Sequence, residues 1–165
     1  MKNLIISLKI ILLSVIVITA CSKMTEKKQE KESNYTLGSD EVIIEAGSNM
    51  EREFGKNYKA WTPSDADIEI ADKQIARCFE NMKMGTVNWL LNRKPDGYNK
   101  QFIGAINDKG EKIIWVNCFC KSEANSFKDW KTRVVMVKDG GNCFFNLKVN
   151  VDKNEYYDIF VNGDA

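Results

Sequence analysis

An α+β domain, with one long helix packed on an antiparallel sheet of about five strands, is predicted by three observations. Apolar residues recur at helical spacing from Ile68 to Met82, the chain after Tyr98 breaks into short β-rich runs, and turn residues separate those runs at short intervals. The 165 residues hold one such domain once a leader and a tether are set aside. With 44% hydrophobic and 28% charged residues, the composition is that of a packed chain and not of a disordered one.

The first element is a leader, residues 1–20. Met1 to Lys9 carries two lysines and no acid, and Ile10 to Ile18 is an apolar run of nine residues broken only by Ser14. Such a run is too short to cross a ~30 Å hydrocarbon layer alone, so it reads as the core of an export signal; a retained transmembrane anchor is the competing reading. The run closes on Ile18, Thr19, Ala20, Cys21. A branched apolar residue, two small residues and a cysteine resemble the lipobox of bacterial lipoproteins. The resemblance implies cleavage before Cys21, diacylglycerol on its thiol, and a membrane as the first partner. Several acyl chains, at ~0.8 kcal/mol per buried methylene, hold firmly. In that family Asp after the cysteine favours the inner membrane; Ser22 here favours the outer membrane if the cell is Gram-negative. The expected location is the cell envelope.

Residues 21–40 follow as a flexible charged tether, with Lys27, Lys28, Glu30, Lys31 and Glu32 among few large apolar residues. The domain spans 41–165. Val42, Ile43 and Ile44 can form a short docking strand. A helix is expected to begin at Thr62, with Thr62 as N-cap, Pro63 at the first helical position and Asp65 reaching back. Ile68, Ala71, Ile75, Cys78 and Met82 make its apolar stripe, and Gly85 ends it. Trp89, Leu90 and Leu91 form an apolar cluster before a turn at Lys94 to Gly97. Strands are then predicted over 98–107, 111–120, 133–138, 143–151 and 155–162, with a short helical connection over 125–131. The turns are 108–110, 139–141 and 152–154. This helix-then-strands order resembles cystatin-like and NTF2-like two-layer folds, a likeness of element order that implies no activity. The runs Ile114 to Cys120 and Tyr156 to Gly163 also resemble uncharacterised small lipoproteins of Bacteroidota-type bacteria.

Four cysteines remain beyond the anchor. Period-two alternation puts Cys118 and Cys120 on one face with Ile114 and Val116, and Cys143 on one face with Phe145, Leu147, Val149 and Val151. Cys78 lies on the helix stripe that packs there. In an exported chain this suggests disulfides: Cys78 with Cys118 or Cys120, and Cys143 with the other, since Cys118 with Cys120 is strained on one strand. The alternative is buried thiols acting as small hydrophobes. Without any CxxC pair a zinc site is disfavoured, and no metal or cofactor is expected.

The absence of His removes the commonest general base, the usual triads and most catalytic metal sites. Asp65 and Asp67 suit a helix N-terminus, the 139–141 turn lacks the lysine of a phosphate loop, and 152–155 lacks the ligand spacing of an EF-hand. Without residues 1–20 the chain keeps 22 of its 24 basic residues against 23 acidic ones, with no Arg-rich stripe, so nucleic acid is not an expected partner. Trp115, Asn117 and Phe119, with Phe144 beside them, lie on the strand face opposite the cysteines. Exposed, they mark a contact patch; otherwise the tether segment or the Phe127 and Trp130 connection covers them. The function expected is a non-enzymatic module binding an envelope protein or a small ligand. A carboxylate- or thiol-dependent enzyme is the alternative.

Overall fold

A computed structural model describes residues 33–47, 50–84 and 94–163; the leader, Cys21, most of the tether, Gly85 and the Trp89 to Leu91 cluster lie outside them. The domain is α+β, built on one six-stranded sheet. Its elements are β1 (Glu41–Ile43), α1 (Glu51–Phe54), β2 (Lys59–Ala60), α2 (Asp65–Met84), β3 (Tyr98–Ile106), β4 (Lys112–Cys120), β5 (Phe144–Asn150) and β6 (Glu155–Val161). The sheet order is β1-β3-β4-β5-β6, and β2 pairs with β3 beyond β1. β3 to β6 are antiparallel neighbours, as expected, but β1 runs parallel to β3. Among the described residues no helix is long and apolar enough to cross a membrane.

The long helix forms on its stripe: Ile68, Ala71, Ile75 and Cys78 are buried against the sheet. Its cap differs from the expectation at Thr62. The backbone N–H and hydroxyl of Ser64 donate to the Asp67 carboxylate, and Ser64 Oγ accepts from the Asp67 N–H, so a Ser-x-x-Asp box starts the helix two residues later. Pro63 precedes it, packed over β3. There Gly104 permits close approach, since a Cβ would lie 2.4 Å from the Trp61 carbonyl.

Even-numbered residues of β3 and β4 face α2, with Tyr98, Phe102, Ile114, Val116, Cys118 and Cys120 in one buried cluster; odd-numbered Phe145, Leu147 and Val149 of β5 join them. Phe145 meets both Tyr98 and Phe79 edge to face, while Phe79 and Tyr98 pack tilted to each other. Lys100 is the charged exception. Its ammonium lies 2.9 Å from Glu41 and also bonds Asp72, clasping β1 and α2 to β3. Burial works against the Lys100 charge, yet the two carboxylates overcome it and hold its pKa above the ordinary value.

The expected strand over 133–138 is not one. That stretch crosses the opposite sheet face, and side-chain amides take the place of ladder partners. Gln101, fully buried, donates through Nε2 to the carbonyls of Trp130 and Arg133, and accepts at Oε1 from the Val135 N–H. Asn117 donates to the Val135 carbonyl at 2.8 Å and Asn162 to that of Val137 at 2.7 Å. Several of its backbone groups are thus paired without a strand, 139–141 is no hairpin turn, and the helical connection expected over 125–131 is instead a 3-10 segment at Lys121–Ser126 followed by turns. This crossing, with Ile44, Ala46, Met50, Phe54 and Tyr58, covers the second face over β3 and β4. The sheet is therefore clad on both sides there, which departs from a two-layer fold.

Candidate functional site

The cysteines gather in the layer under α2. Cys120 and Cys143 form a disulfide with Cα atoms 4.9 Å apart, while Cys78 and Cys118 are buried free thiols. Cys118 stands opposite Phe145 and Lys100 in the ladders. Burial pushes the Cys78 thiol up to about 11 and raises that of Cys118, so neither is set up as a thiolate nucleophile.

On the other face, the aromatic residues expected to form an exposed patch do not. Trp115 packs with Met50 and Ile103, and Phe119 with Trp130 and Val135, each buried; Asn117 lies under the crossing segment. The physical reason is the amide clasp, which binds 130–137 over them. Phe144 is half-buried. Where the two covering segments end, the face opens over β5 and β6 into a cavity of about 700 Å³. Trp115, Asn117 and Phe144 all line it, so three of the four expected residues come together as its floor. Phe119 is absent from the lining.

The cavity's walls come from three places. Val135 to Lys138 form one side, Arg52 and Glu53 of α1 close one end, and β6 supplies Asp158, Phe160 and Asn162. A bulge makes β6 fit. Tyr157 pairs with Lys148 and Phe160 with Asn146, so between them β6 has two residues, Asp158 and Ile159, where β5 has only Leu147. Asp158 takes φ +49°, which Asp tolerates better than most residues, and its carboxylate reaches Lys148 at 3.1 Å. Tyr157, Asp158 and Phe160 thus all serve the cavity side, although a plain period-two strand divides them between faces.

The hydrogen bonds leave each amide of the cavity with one defined end. Indole can only donate, so Trp115 Nε1, 3.1 Å from Asn146 Oδ1, fixes that oxygen and leaves Asn146 with donors to offer. Asn162 uses its Nδ2 on the carbonyls of Val137 and Asp139, and Asn117 uses its Nδ2 on Gln101 and Val135. Both retain acceptor oxygens. Two ion pairs complete the lining, Arg52 with Glu53 at 2.7 Å and Lys148 with Asp158. At the rim Met136 and Phe160 are 61% and 60% exposed, high for large apolar side chains.

No known protein family, curated protein or solved structure matches this chain. The site therefore has to be read from its own chemistry. A concave space of this size, part aromatic and part amide, has the make-up of a small-molecule pocket, and such pockets commonly span ~300–1,000 Å³. Sequence reasoning missed Asn146, Lys148, Asp158, Phe160 and Asn162. The polar alternation Asn146, Lys148, Asn150 was a usable signal, because a strand with one sealed face and amides on the other is poorly suited to a second dry core. The bulge gave only a faint one, an Asp in the middle of the run Tyr156 to Val161, where strands disfavour it. Among the described residues no cluster of His, Cys, Asp or Glu is arranged to hold a metal ion.

Proposed function

We propose that this chain is an envelope lipoprotein, anchored by lipid on Cys21, whose domain is a non-enzymatic module that binds a ligand in the cavity over β4, β5 and β6. The carrying observation is the cavity itself: about 700 Å³, floored by Trp115, Asn117 and Phe144 and rimmed by exposed Phe160. A rigid sheet supports its floor, and the Gln101 clasp holds one wall in place before any ligand arrives. Such preorganisation lowers the ordering cost of binding. The leader and the lipobox-like Ile18 to Cys21 supply the grounds for export and anchoring. An outer-membrane location is favoured if the cell is Gram-negative. The thiol-enzyme alternative gains nothing from Cys78 of α2 and Cys118 of β4, which are buried between the helix and the other sheet face and resist ionisation.

One preparation tests both halves of the proposal. The full chain is extracted from membranes in detergent and its intact mass measured beside Cys21→Ala. A diacylglyceryl-sized addition absent from the variant is expected, and a mass equal to the uncut chain overturns the anchor. Labelled with ¹⁵N, the same protein is then screened against a library of small neutral and charged fragments by NMR. Hits should shift the side-chain amides of Asn117, Asn146 and Asn162. A screen whose hits leave all three unmoved overturns the cavity as the binding site.

A further inference from the structure

A second, smaller cavity of about 270 Å³ adjoins the first. Arg52, Glu53 and Lys148 line both, so the two meet end to end, and Tyr157 lines the second where Phe160 lines the first. The bulge at Asp158 is what sets these two rings side by side along one groove: their ladder partners Lys148 and Asn146 are two residues apart on the same face of β5. Both rings are solvent-exposed, Tyr157 at 37% and Phe160 at 60%.

We propose, building on the binding reading above, that this groove takes an extended, uncharged, polyhydroxylated chain, that is, a neutral oligosaccharide. Three features select that chemistry. Charges of both signs line the groove, with Arg52 beside Glu53, Lys148 beside Asp158, Asp108 and Lys109 in the second cavity and Lys138 exposed at the rim, so no single sign of charge is presented to a ligand. The amides offer donors at Asn146 and acceptors at Asn117 and Asn162. A hydroxyl group matches either, because it both donates and accepts. Exposed rings are the side chains on which a sugar packs, its weakly positive C–H face meeting the negative face of an aromatic quadrupole. A peptide strand added to the open edge of β6 fits less well, since the bulge there interrupts the run of backbone groups that strand addition needs.

The test is calorimetric titration of the full chain, in a detergent without a sugar headgroup, with neutral gluco-, xylo-, manno- and galacto-oligosaccharides of increasing length. At least one series should bind, with Kd improving about tenfold or more from the shortest to the longest member as the second cavity fills. Raising NaCl to about 0.5 M should change Kd by less than about twofold, because no net charge is engaged. Phe160→Ala should weaken every member about tenfold or more, whereas Tyr157→Ala should remove the gain with length and spare the short ones. Silence across all four series overturns the proposal, as does length-independent or strongly salt-dependent binding. Neutral peptides binding in their place, with loss in Phe160→Ala, overturn it too. Fragment hits at Asn117, Asn146 and Asn162 with no saccharide binding leave the cavity a binding site and remove only the ligand class; silence in both removes both.

Discussion

Beneath α2 the sheet is sealed by alternating apolar side chains, and on its other face by side-chain amides holding a strandless segment in place. The first seal is dry, with Tyr98, Phe102, Phe145 and Leu147 at most 1% exposed. The second depends on Gln101, whose two donors and two acceptor sites are all used to hold Trp130, Arg133, Val135 and Asn117. An apolar seal is non-directional and covers whatever it touches. An amide seal covers only the ground its few bonds define, which is why the face stays open over β5 and β6 and a cavity remains there.

The contrast is sharpest in stability. Phe145→Ala empties the centre of the aromatic group beneath α2, where its ring meets Tyr98 at 4.9 Å and Phe79 at 5.6 Å. A loss of about 3–5 kcal/mol in chemical denaturation is expected, from transfer and cavity contributions together. A loss under about 1 kcal/mol would mean that α2 is not the main cover of the sheet.

This difference also explains what could be read from the chain beforehand. Periodicity reports burial, so the stripe Ile68 to Cys78 and the alternation of Ile114 to Cys120 placed the first face correctly, including the nearness of Cys120 to Cys143. The stretch Arg133 to Lys138 also reads as a strand, because Val134, Val135 and Val137 have β-favouring side chains. What decides its structure is Gln101 and Asn117, more than fifteen residues away in sequence and polar, so no local pattern carries the information. Trp115, Asn117 and Phe144 were legible as one face, but their cover and the cavity beyond it were not. The cap at Ser64 moved for a similar reason: Pro63 is taken up in packing against Gly104.

Gln101→Leu should break the second seal while sparing the first. It leaves the buried Val135 N–H and the Trp130 carbonyl without their partners, at ~1–3 kcal/mol for each group not rescued by water. Release of the segment into solvent limits the net loss to about 2–3 kcal/mol, less than for Phe145→Ala. Hydrogen exchange distinguishes the two variants. In Gln101→Leu the Val135 amide should exchange at least about tenfold faster than global destabilisation explains, with α2 amides following the global value. Equal acceleration everywhere would show that the segment is held by its apolar contacts with Phe119 and Trp130 and not by Gln101.

The smallest stability effect belongs to the place where neither seal reaches. Phe160 is 60% exposed on the outermost strand, and its truncation should change folding free energy by no more than about 0.5 kcal/mol. A large apolar ring left in water at the mouth of a cavity contributes little to the fold, so a function for it has to lie in what it contacts from outside. Phe160→Ala is accordingly the variant in which binding and stability separate: thermal and chemical denaturation should match the parent, while ligand affinity at the cavity falls. If denaturation instead shows a loss comparable to that of Gln101→Leu, Phe160 is part of the cladding of this face, and the apparent rim is a third seal made when the ring folds over Asn146.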